Sequence, residues 1–285
     1  MASMRDIKRR KGSIQSTQQI TKAMKLVSTV KLQKAKTHAE LAKPYFNHMY
    51  ETMTSILSKS SNIDHPYLKA QEGKKAIIVI TSNRGLAGGY NSNVSKLVTE
   101  SGFDKDDVVL YIIGKKGREF LGKRGYEIAG DYSEAINEPL YSDAVEIGKQ
   151  VLEDFAEGKI GEIYLAYTVF KNTVSHIPTL MKVMPVEVKE QEEEAKEETP
   201  IPMNYEPEEE EVLSMIIPKY VTSLIYGALV EALASENGAR MQAMDSATSN
   251  AEEMIQDLSL KYNRARQGSI TQELTEIIAG AEAIS

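Results

Sequence analysis

The sequence predicts a mixed α/β protein in which two long terminal helices form an antiparallel coiled coil beside a central, doubly wound, Rossmann-like α/β domain. Apolar residues recur at helical spacing at both ends of the chain. Between residues 74 and 190, short runs rich in β-branched residues alternate with helical segments. A Glu-rich, proline-containing run then separates this region from the C-terminal helix.

These patterns divide the chain into four parts. We predict an N-terminal coiled-coil helix at 1–58, a central α/β domain at 74–190, an acidic linker or insertion at 191–207, and a C-terminal coiled-coil helix at 208–285.

The N-terminal helix is predicted from five apolar residues that recur among Gln, Ser, Thr and Lys. They are Ile7, Ile14, Ile20, Met24 and Val27. The pattern tolerates Pro44, where we expect a kink. The first half is strongly basic, since Asp6 is its one acidic residue before Glu40. Nucleic acid and membrane surfaces attract basic helices, but this one lacks interleaved aromatic residues, so we favour a solvated or protein-facing surface.

Three apolar runs predict the buried strands of a parallel sheet, at residues 76–81, 108–113 and 162–170. Helical segments near residues 91–100, 115–123 and 142–157 separate them, which is the alternation of a doubly wound sheet. A later run, from His176 to Val188, contains Pro178 and Pro185. We place it at an edge of the sheet, because proline cannot donate a hydrogen bond to a neighbouring strand.

The segment SNRGLAGGYNSN follows the first strand, where sheets of this kind commonly bind ligands. It reproduces neither G-x-x-x-x-G-K-[ST] nor G-x-G-x-x-G, so we interpret it as a tight turn in which glycines such as Gly89 supply a positive φ. A nucleotide-binding loop at Asn83–Tyr90 is the alternative interpretation. No catalytic set is visible at local spacing, and we predict no catalytic residue and no cofactor.

Composition excludes several other classes of protein. The 285 residues carry a net charge of −7, no Cys and four scattered His, so no disulfide and no metal site are predicted. The basic N-terminus leads into no apolar core of signal-peptide length, and we expect no secretion. The most apolar stretch, Ile216 to Ala234, is interrupted by Pro218, Lys219 and Glu231, so we predict no transmembrane helix.

The C-terminal helix carries an apolar stripe at alternating steps of four and three, the a/d spacing of a coiled coil. Its residues are Ile270, Leu274, Ile277, Ala281 and Ile284, and the spacing returns upstream at Met244, Ala247, Ala251, Met254 and Leu258. Because the N-terminal helix is shorter, an antiparallel pair leaves the extreme C-terminus uncovered. We expect something outside this chain to cover it.

Both ends resemble a known family. The segments SIQSTQQITKAMKLVSTVKLQKAK and NRARQGSITQELTEIIAGAEAI closely resemble the two signature regions of the gamma subunit of F-type ATP synthases, bacterial type, and TSNRGLAGGYN resembles a central-domain segment of the same family. The resemblance implies a central rotor shaft without a catalytic site of its own. Proton-driven rotation would take the catalytic beta subunits through their conformations to make ATP, and ATP hydrolysis would drive the reverse.

The same resemblance implies the partners and the location. The paired helices would stand inside a hexamer of alternating alpha and beta subunits (alpha3beta3), with the α/β domain against epsilon and the membrane ring of c subunits. One copy per complex, no nucleic acid, and a peripheral position at the cytoplasmic face of the bacterial cell membrane are expected.

Six residues match the family's motifs at positions that contact beta subunits. They are Met24, Lys25, Arg240, Gln267, Thr271 and Glu273. We further expect Ile277, Ile278, Ala281 and Ile284 to form a C-terminal bearing, since a tip that turns inside a collar is best apolar and weakly directional. The acidic run at residues 187–211 is interpreted as a variable insertion.

Overall fold

The computed structural model describes residues 4–59, 65–69, 71–186 and 209–282. Two long helices, α1 (Met4–Lys59) and α5 (Glu209–Glu282), enclose the central elements in sequence. These are β1 (Lys74–Ile80), α2 (Tyr90–Thr99), β2 (Val108–Ile113), α3 (Lys115–Gly122), β3 (Glu127–Asp131), α4 (Tyr141–Ala156), β4 (Ile160–Phe170) and β5 (His176–Met184). The predicted fold class is therefore confirmed. The predicted acidic linker at 191–207 lies outside the described residues.

Within the described residues, five strands form one sheet in the order β3-β2-β1-β4-β5. β3, β2, β1 and β4 are parallel, and β5 pairs antiparallel with β4 at the edge, where its prolines were expected to place it. The strand order reverses direction between β1 and β4. In open α/β sheets the carboxyl ends of strands at such a reversal form a crevice, so the loop after β1 occupies the usual ligand position.

Alternate residues of the central strands enter two separate cores, as the pleat of a buried strand requires. Ile78 of β1 and Tyr111 of β2 face the core that contains α4, the first part of α5 and the end of α1. Val79 and Leu110 face the core under α2 and α3. Both faces of the sheet are thus covered, which explains why its strands read as continuous apolar runs.

Strand β3 was not predicted from the sequence. Its residues, EIAGD, alternate between exposed and half-buried, and it pairs with β2 at the outer edge of the sheet. A short edge strand that contains glycine lacks the β-branched apolar run by which the other strands were recognised.

The apolar part of α5 belongs to the central core. By length and composition, Glu210–Ala281 would pass as a membrane-crossing helix, but half of its most apolar window is buried inside the protein. Ile217, Val221 and Leu229 are fully buried against the sheet. Its hydropathy is therefore that of a core helix.

A buried carboxylate joins the sheet to α4. The Tyr111 hydroxyl donates to Asp154 Oδ2 at 2.6 Å, and Gln150 and Lys159 donate to the same carboxylate. Burial alone raises the pKa of Asp154, but the hydrogen bonds from Tyr111, Gln150 and Lys159 outweigh it and hold the pKa below its ordinary value. Burial, followed by the bond to Asp154, raises the pKa of Tyr111. The pair therefore stays a charged carboxylate and a neutral phenol at neutral pH.

Compactness divides the chain into two units: residues Met1–Thr29 with Arg240–Ser285, and residues Val30–Ala239. The cuts fall inside α1 and α5, whereas the predicted domains follow whole elements. The domain boundaries therefore stay a prediction.

Candidate partner-contact sites

The first candidate site is the two-helix unit formed by residues 1–29 and 240–285. The hydroxyl oxygens of Thr21 and Thr248 lie 2.8 Å apart, and Lys25 Nζ donates to Asp245 Oδ1 at 2.6 Å. From Thr21 to Lys25 the chain of α1 advances, while the partner residues on α5 go back from Thr248 to Asp245. The two helices therefore pair antiparallel, as the sequence predicted.

The seam between these helices follows a regular heptad pattern. On α1 the seam positions are Ile7, Lys11, Ile14, Gln18, Thr21, Lys25 and Ser28, all buried or half-buried, and Met4 and Met24 are half-buried as well. On α5 the seam positions are Met244, Thr248, Ala251, Ile255, Leu258, Tyr262, Ala265 and Ser269, and the flanking residues Ala247 and Ser259 are half-buried as well. Steps of four and three separate the members of both sets, which is coiled-coil spacing. Much of the α1 side is polar or small.

Three residues predicted from helical spacing are not in this seam. Ile20 and Val27 are each 57 % exposed, and Met254 is 52 % exposed. Each lies one position before a true seam residue, and one position is about 100° around a helix. Ile7 and Ile14 lie in the seam as predicted, but at Ile20 and Val27 the apolar pattern on α1 marked an outward face, and the neighbouring polar residues Thr21 and Ser28 are the buried positions.

The end of α5 has an apolar face that its own chain does not cover. Ile270, Leu274, Ile277 and Ile278 are 48–68 % exposed, and Ala281 is exposed as well. Ile284 lies outside the described residues. The heptad of the seam continues past Ser269 to Gln272 and Glu276, whose side chains bond each other at 2.9 Å. The aliphatic stripe is therefore rotated by one position from the seam, rather than a continuation of it.

The six predicted contact residues fall into three environments. Met24 and Lys25 are half-buried, and Lys25 bonds Asp245, whereas Arg240 is 9 % exposed. Gln267, Thr271 and Glu273 are exposed; the Thr271 hydroxyl donates to the Gln267 carbonyl, and Ser269 Oγ lies 3.5 Å from Glu273 Oε1.

These contact residues lie at two separate levels of the unit. Asp245 pairs with Lys25, and the helix between Asp245 and Gln267 spans about 33 Å at the rise of an α-helix. The predicted contacts around Met24 and those around Gln267 therefore cannot meet the same partner group. Asp245 is absent from the predicted set, because only the fold brings it to Lys25.

The second candidate site is the loop after β1, in the unit of residues 30–239. Asn83 donates from Nδ2 to the Ser133 carbonyl at 2.7 Å, and its Oδ1 accepts from the Lys115 amide at 2.9 Å. The Ser82 amide donates to Asn91 Oδ1, and Thr81 Oγ1 accepts from the Gly117 amide. The loop is thus bonded to the ends of the neighbouring elements.

Two glycines explain the local geometry. Gly114 has φ +106°, and a Cβ there would lie 2.1 Å from the Thr81 carbonyl oxygen. Gly88 has φ +56°. Gly89, which we expected to need a positive φ, has φ −81° and begins α2 as its N-cap, so that expectation was wrong. In nucleotide-binding loops, backbone amides bind the phosphate. Here the amides of Lys115 and Gly117 donate instead to side chains of the protein, Asn83 and Thr81.

Across the part of the chain that the structure describes, no group of three or more His, Asp or Glu side chains is placed to hold a metal ion.

Comparison with known proteins gives one family. The family model described as "ATP synthase" matches residues 3–284. An ATP synthase gamma chain from Lachnoclostridium phytofermentans is 69 % identical over 292 aligned positions, covering 100 % of both chains. A gamma chain from Acetobacterium woodii, named as sodium ion specific, is 44 % identical over 99 % of both.

Solved structures agree on the fold. The rotor of the Euglena gracilis mitochondrial ATP synthase matches with a TM-score of 0.67 at 17 % identity, covering 94 % of this chain and 98 % of that one. The central stalk and c-ring structure from Tetrahymena thermophila mitochondria contains a chain that matches with a TM-score of 0.59 at 24 % identity, covering 80 % and 99 %.

Proposed function

Since the chain belongs to the gamma chains of ATP synthase, we propose that it is the central rotor shaft of that complex. Rotation of the membrane c-ring, driven by protons, turns the shaft, and the shaft takes the catalytic beta subunits through their conformations to make ATP. ATP hydrolysis drives the reverse. The chain is part of an enzyme complex, and we propose that it contributes no catalytic group.

The observation that carries this proposal is the uncovered apolar face at the end of α5. Ile270, Leu274, Ile277 and Ile278 are 48–68 % exposed, which is unusual for four large aliphatic side chains on one helix end. Their face is rotated away from the seam with α1. A surrounding collar of alpha and beta subunits would bury it, and aliphatic contacts impose no fixed rotational position.

The outward face of α1 supports the same collar. Ile20, Leu26 and Val27 are 57–62 % exposed, and Lys22 beside them is exposed too. Apolar contact with nearby positive charge suits a partner surface that is partly apolar and carries carboxylates. We assign five residues to contacts with beta subunits: Met24, Lys25, Gln267, Thr271 and Glu273. Arg240 is nearly buried, and we assign it a supporting role at the level of Met24 and Lys25.

The remaining partners and the location follow from the rotor role. The α/β domain would contact epsilon and the c-ring, with one copy of the chain per complex and no nucleic acid. The complex would lie peripherally at the cytoplasmic face of the bacterial cell membrane.

The experiment that tests the proposal is co-expression with alpha, beta and epsilon subunits, followed by purification through a tag on this chain. We expect a complex containing alpha and beta in equal amounts, with ATP turnover that the isolated chain lacks. Turnover by the isolated chain would contradict the non-catalytic assignment. Failure to recover alpha and beta would contradict the shaft assignment.

A further inference from the structure

The Lys25–Asp245 ion pair is too exposed to be what holds the two helices together. Lys25 Nζ and Asp245 Oδ1 are 2.6 Å apart, yet the side chains are 39 % and 57 % exposed. Exposed pairs of this kind shift a folding equilibrium by only about one- to fivefold. The seam on either side supplies the cohesion instead: Thr21 and Thr248 bond each other, and Ser28, Met244 and Ala251 are buried.

An ammonium held in this way can change its partner without separating the helices. Lys25 has three N–H donors on a flexible stem, and its charge lies at the surface of the unit. For a group farther away than the ion pair itself, the negative charge of Asp245 offsets the positive charge of Lys25. A carboxylate that approaches Lys25 directly competes with Asp245 on nearly equal terms, since both bonds form at an exposed site.

We propose that Asp245 is a positioning residue for Lys25: it holds the ammonium at the shaft surface and yields it to a carboxylate of a catalytic subunit at the rotary positions where one is presented. This inference rests on the proposed rotor function. Because the two counter-ions are similar, the two bonded states of Lys25 have similar free energies. The shaft therefore makes a specific contact with the catalytic subunit that is weak enough to allow rotation.

The test uses Asp245→Asn in the assembled complex, because the amide keeps the shape and a weaker acceptor but removes the competing charge. Asp257→Asn is the matched control. Asp257 forms an ion pair with Lys261 at 2.6 Å, with both side chains 58–59 % exposed, in the same unit. ATP turnover is measured for both variants and the unaltered complex at low and high salt.

We expect Asp245→Asn to lower turnover about two- to fivefold at low salt, because Lys25 is then held by the partner carboxylate without competition. Added salt at about 0.5 M screens that attraction and returns turnover to the level of the unaltered complex. Asp257→Asn changes neither value. Identical behaviour of the two variants at both salt levels overturns the inference.

A second variant exchanges the charges, with Lys25→Asp combined with Asp245→Lys. It keeps an ion pair between the helices but moves the positive charge to α5. We expect the melting temperature of the complex to be retained and turnover at low salt to stay reduced. Full turnover would show that the pair acts only as a link between helices, which overturns the positioning role.

Failure of the rotor function and failure of the positioning role of Asp245 give different results. If the unaltered chain gives no turnover with alpha and beta subunits, the proposed function fails. If the unaltered complex turns over and Asp245→Asn matches Asp257→Asn, only the inference about Asp245 fails.

Discussion

Among single residues, Gly88 and Gly89 are neighbours with opposite backbone requirements. Gly88 has φ +56° with open space at its Cβ position, so Gly88→Ala incurs the conformational penalty alone, about 1 kcal/mol. Gly89 has φ −81°, and a Cβ would lie 3.2 Å from the movable Asn93 amide. Because Gly89 already has the right-handed helical backbone that alanine adopts, we expect Gly89→Ala to change the free energy of unfolding by less than Gly88→Ala does.

Urea unfolding of both variants checks this order. Gly89→Ala is the control for the added methyl group, since the two positions are adjacent. A larger loss at Gly89 than at Gly88 would contradict the backbone argument. Calorimetric titration of either variant with ATP tests the alternative nucleotide loop, and we expect no tight binding that depends on these glycines.

Some residue roles can be predicted from the sequence, whereas others are recognised only in the folded structure. The exposure of Gln267 and Thr271 on a long helix was within reach of sequence reasoning, although their assignment depended on motif resemblance. The Lys25–Asp245 pair joins residues 220 positions apart. No local pattern marks Asp245 as the partner, because helical spacing describes one helix and the pair depends on the register between two.

For the secondary-structure elements, Asp154 ties α4 to β2, and its depressed pKa makes this link dependent on pH. A carboxylate whose folded pKa lies below its unfolded value contributes stability above the unfolded pKa, about 4, and loses it as pH falls through the folded pKa. Asp154→Asn should therefore cost about 1.5–3 kcal/mol near neutral pH, where a charged hydrogen-bonded group is replaced, and progressively less at acid pH.

Urea unfolding at about pH 7 and at about pH 3 measures the change for Asp154→Asn. Tyr111→Phe is the companion variant, because it removes the buried donor at 2.6 Å while leaving the carboxylate. We expect Tyr111→Phe to reduce the change in the free energy of unfolding between the two pH values, since Asp154 then loses one of the hydrogen bonds that lower its pKa. An equal loss for Asp154→Asn at both pH values would show that the carboxylate charge plays no part.

The elements show where sequence periodicity succeeds. Buried parallel strands such as β1 and β2 were recognised because both of their faces enter a core, which gives an unbroken apolar run. The edge strand β3 gave no such signal. Helical spacing found α1 and placed Ile7 and Ile14 in its seam, but it was one position off at Thr21 and Ser28, which are buried while Ile20 and Val27 face outward.

Across the whole molecule, the end of α5 is where the intramolecular seam and the apolar stripe separate. The seam positions continue as Gln272 and Glu276, which bond each other, while Ile277 and Ile278 are 68 % and 59 % exposed on another side. A stripe that merely awaited a longer α1 would have kept the seam phase. We therefore propose that this stripe faces a partner outside the chain, which is the role of the predicted bearing inside the collar of catalytic subunits.

The end of α5 can be shortened to test that placement. Deleting residues 277–285 removes the large aliphatic side chains of Ile277, Ile278 and Ile284, and burying such a side chain is worth about 1.5–3 kcal/mol before the costs of association. We expect a lower yield of assembled complex and a lower melting temperature. ATP turnover per assembled complex should persist, because Lys25 and Gln267, at the two lower levels of the shaft, remain to contact beta.

Two variants of full length separate the apolar face from chain length. Ile277→Gln with Ile278→Gln changes the aliphatic stripe, whereas Gln272→Ala with Glu276→Ala changes the polar face at the same level of the helix. Assembly should weaken for the first pair and hold for the second. Normal assembly with abolished turnover in the truncated chain would reverse the assignment, because the tip would then be the surface that drives beta and the paired helices below it would serve only as support.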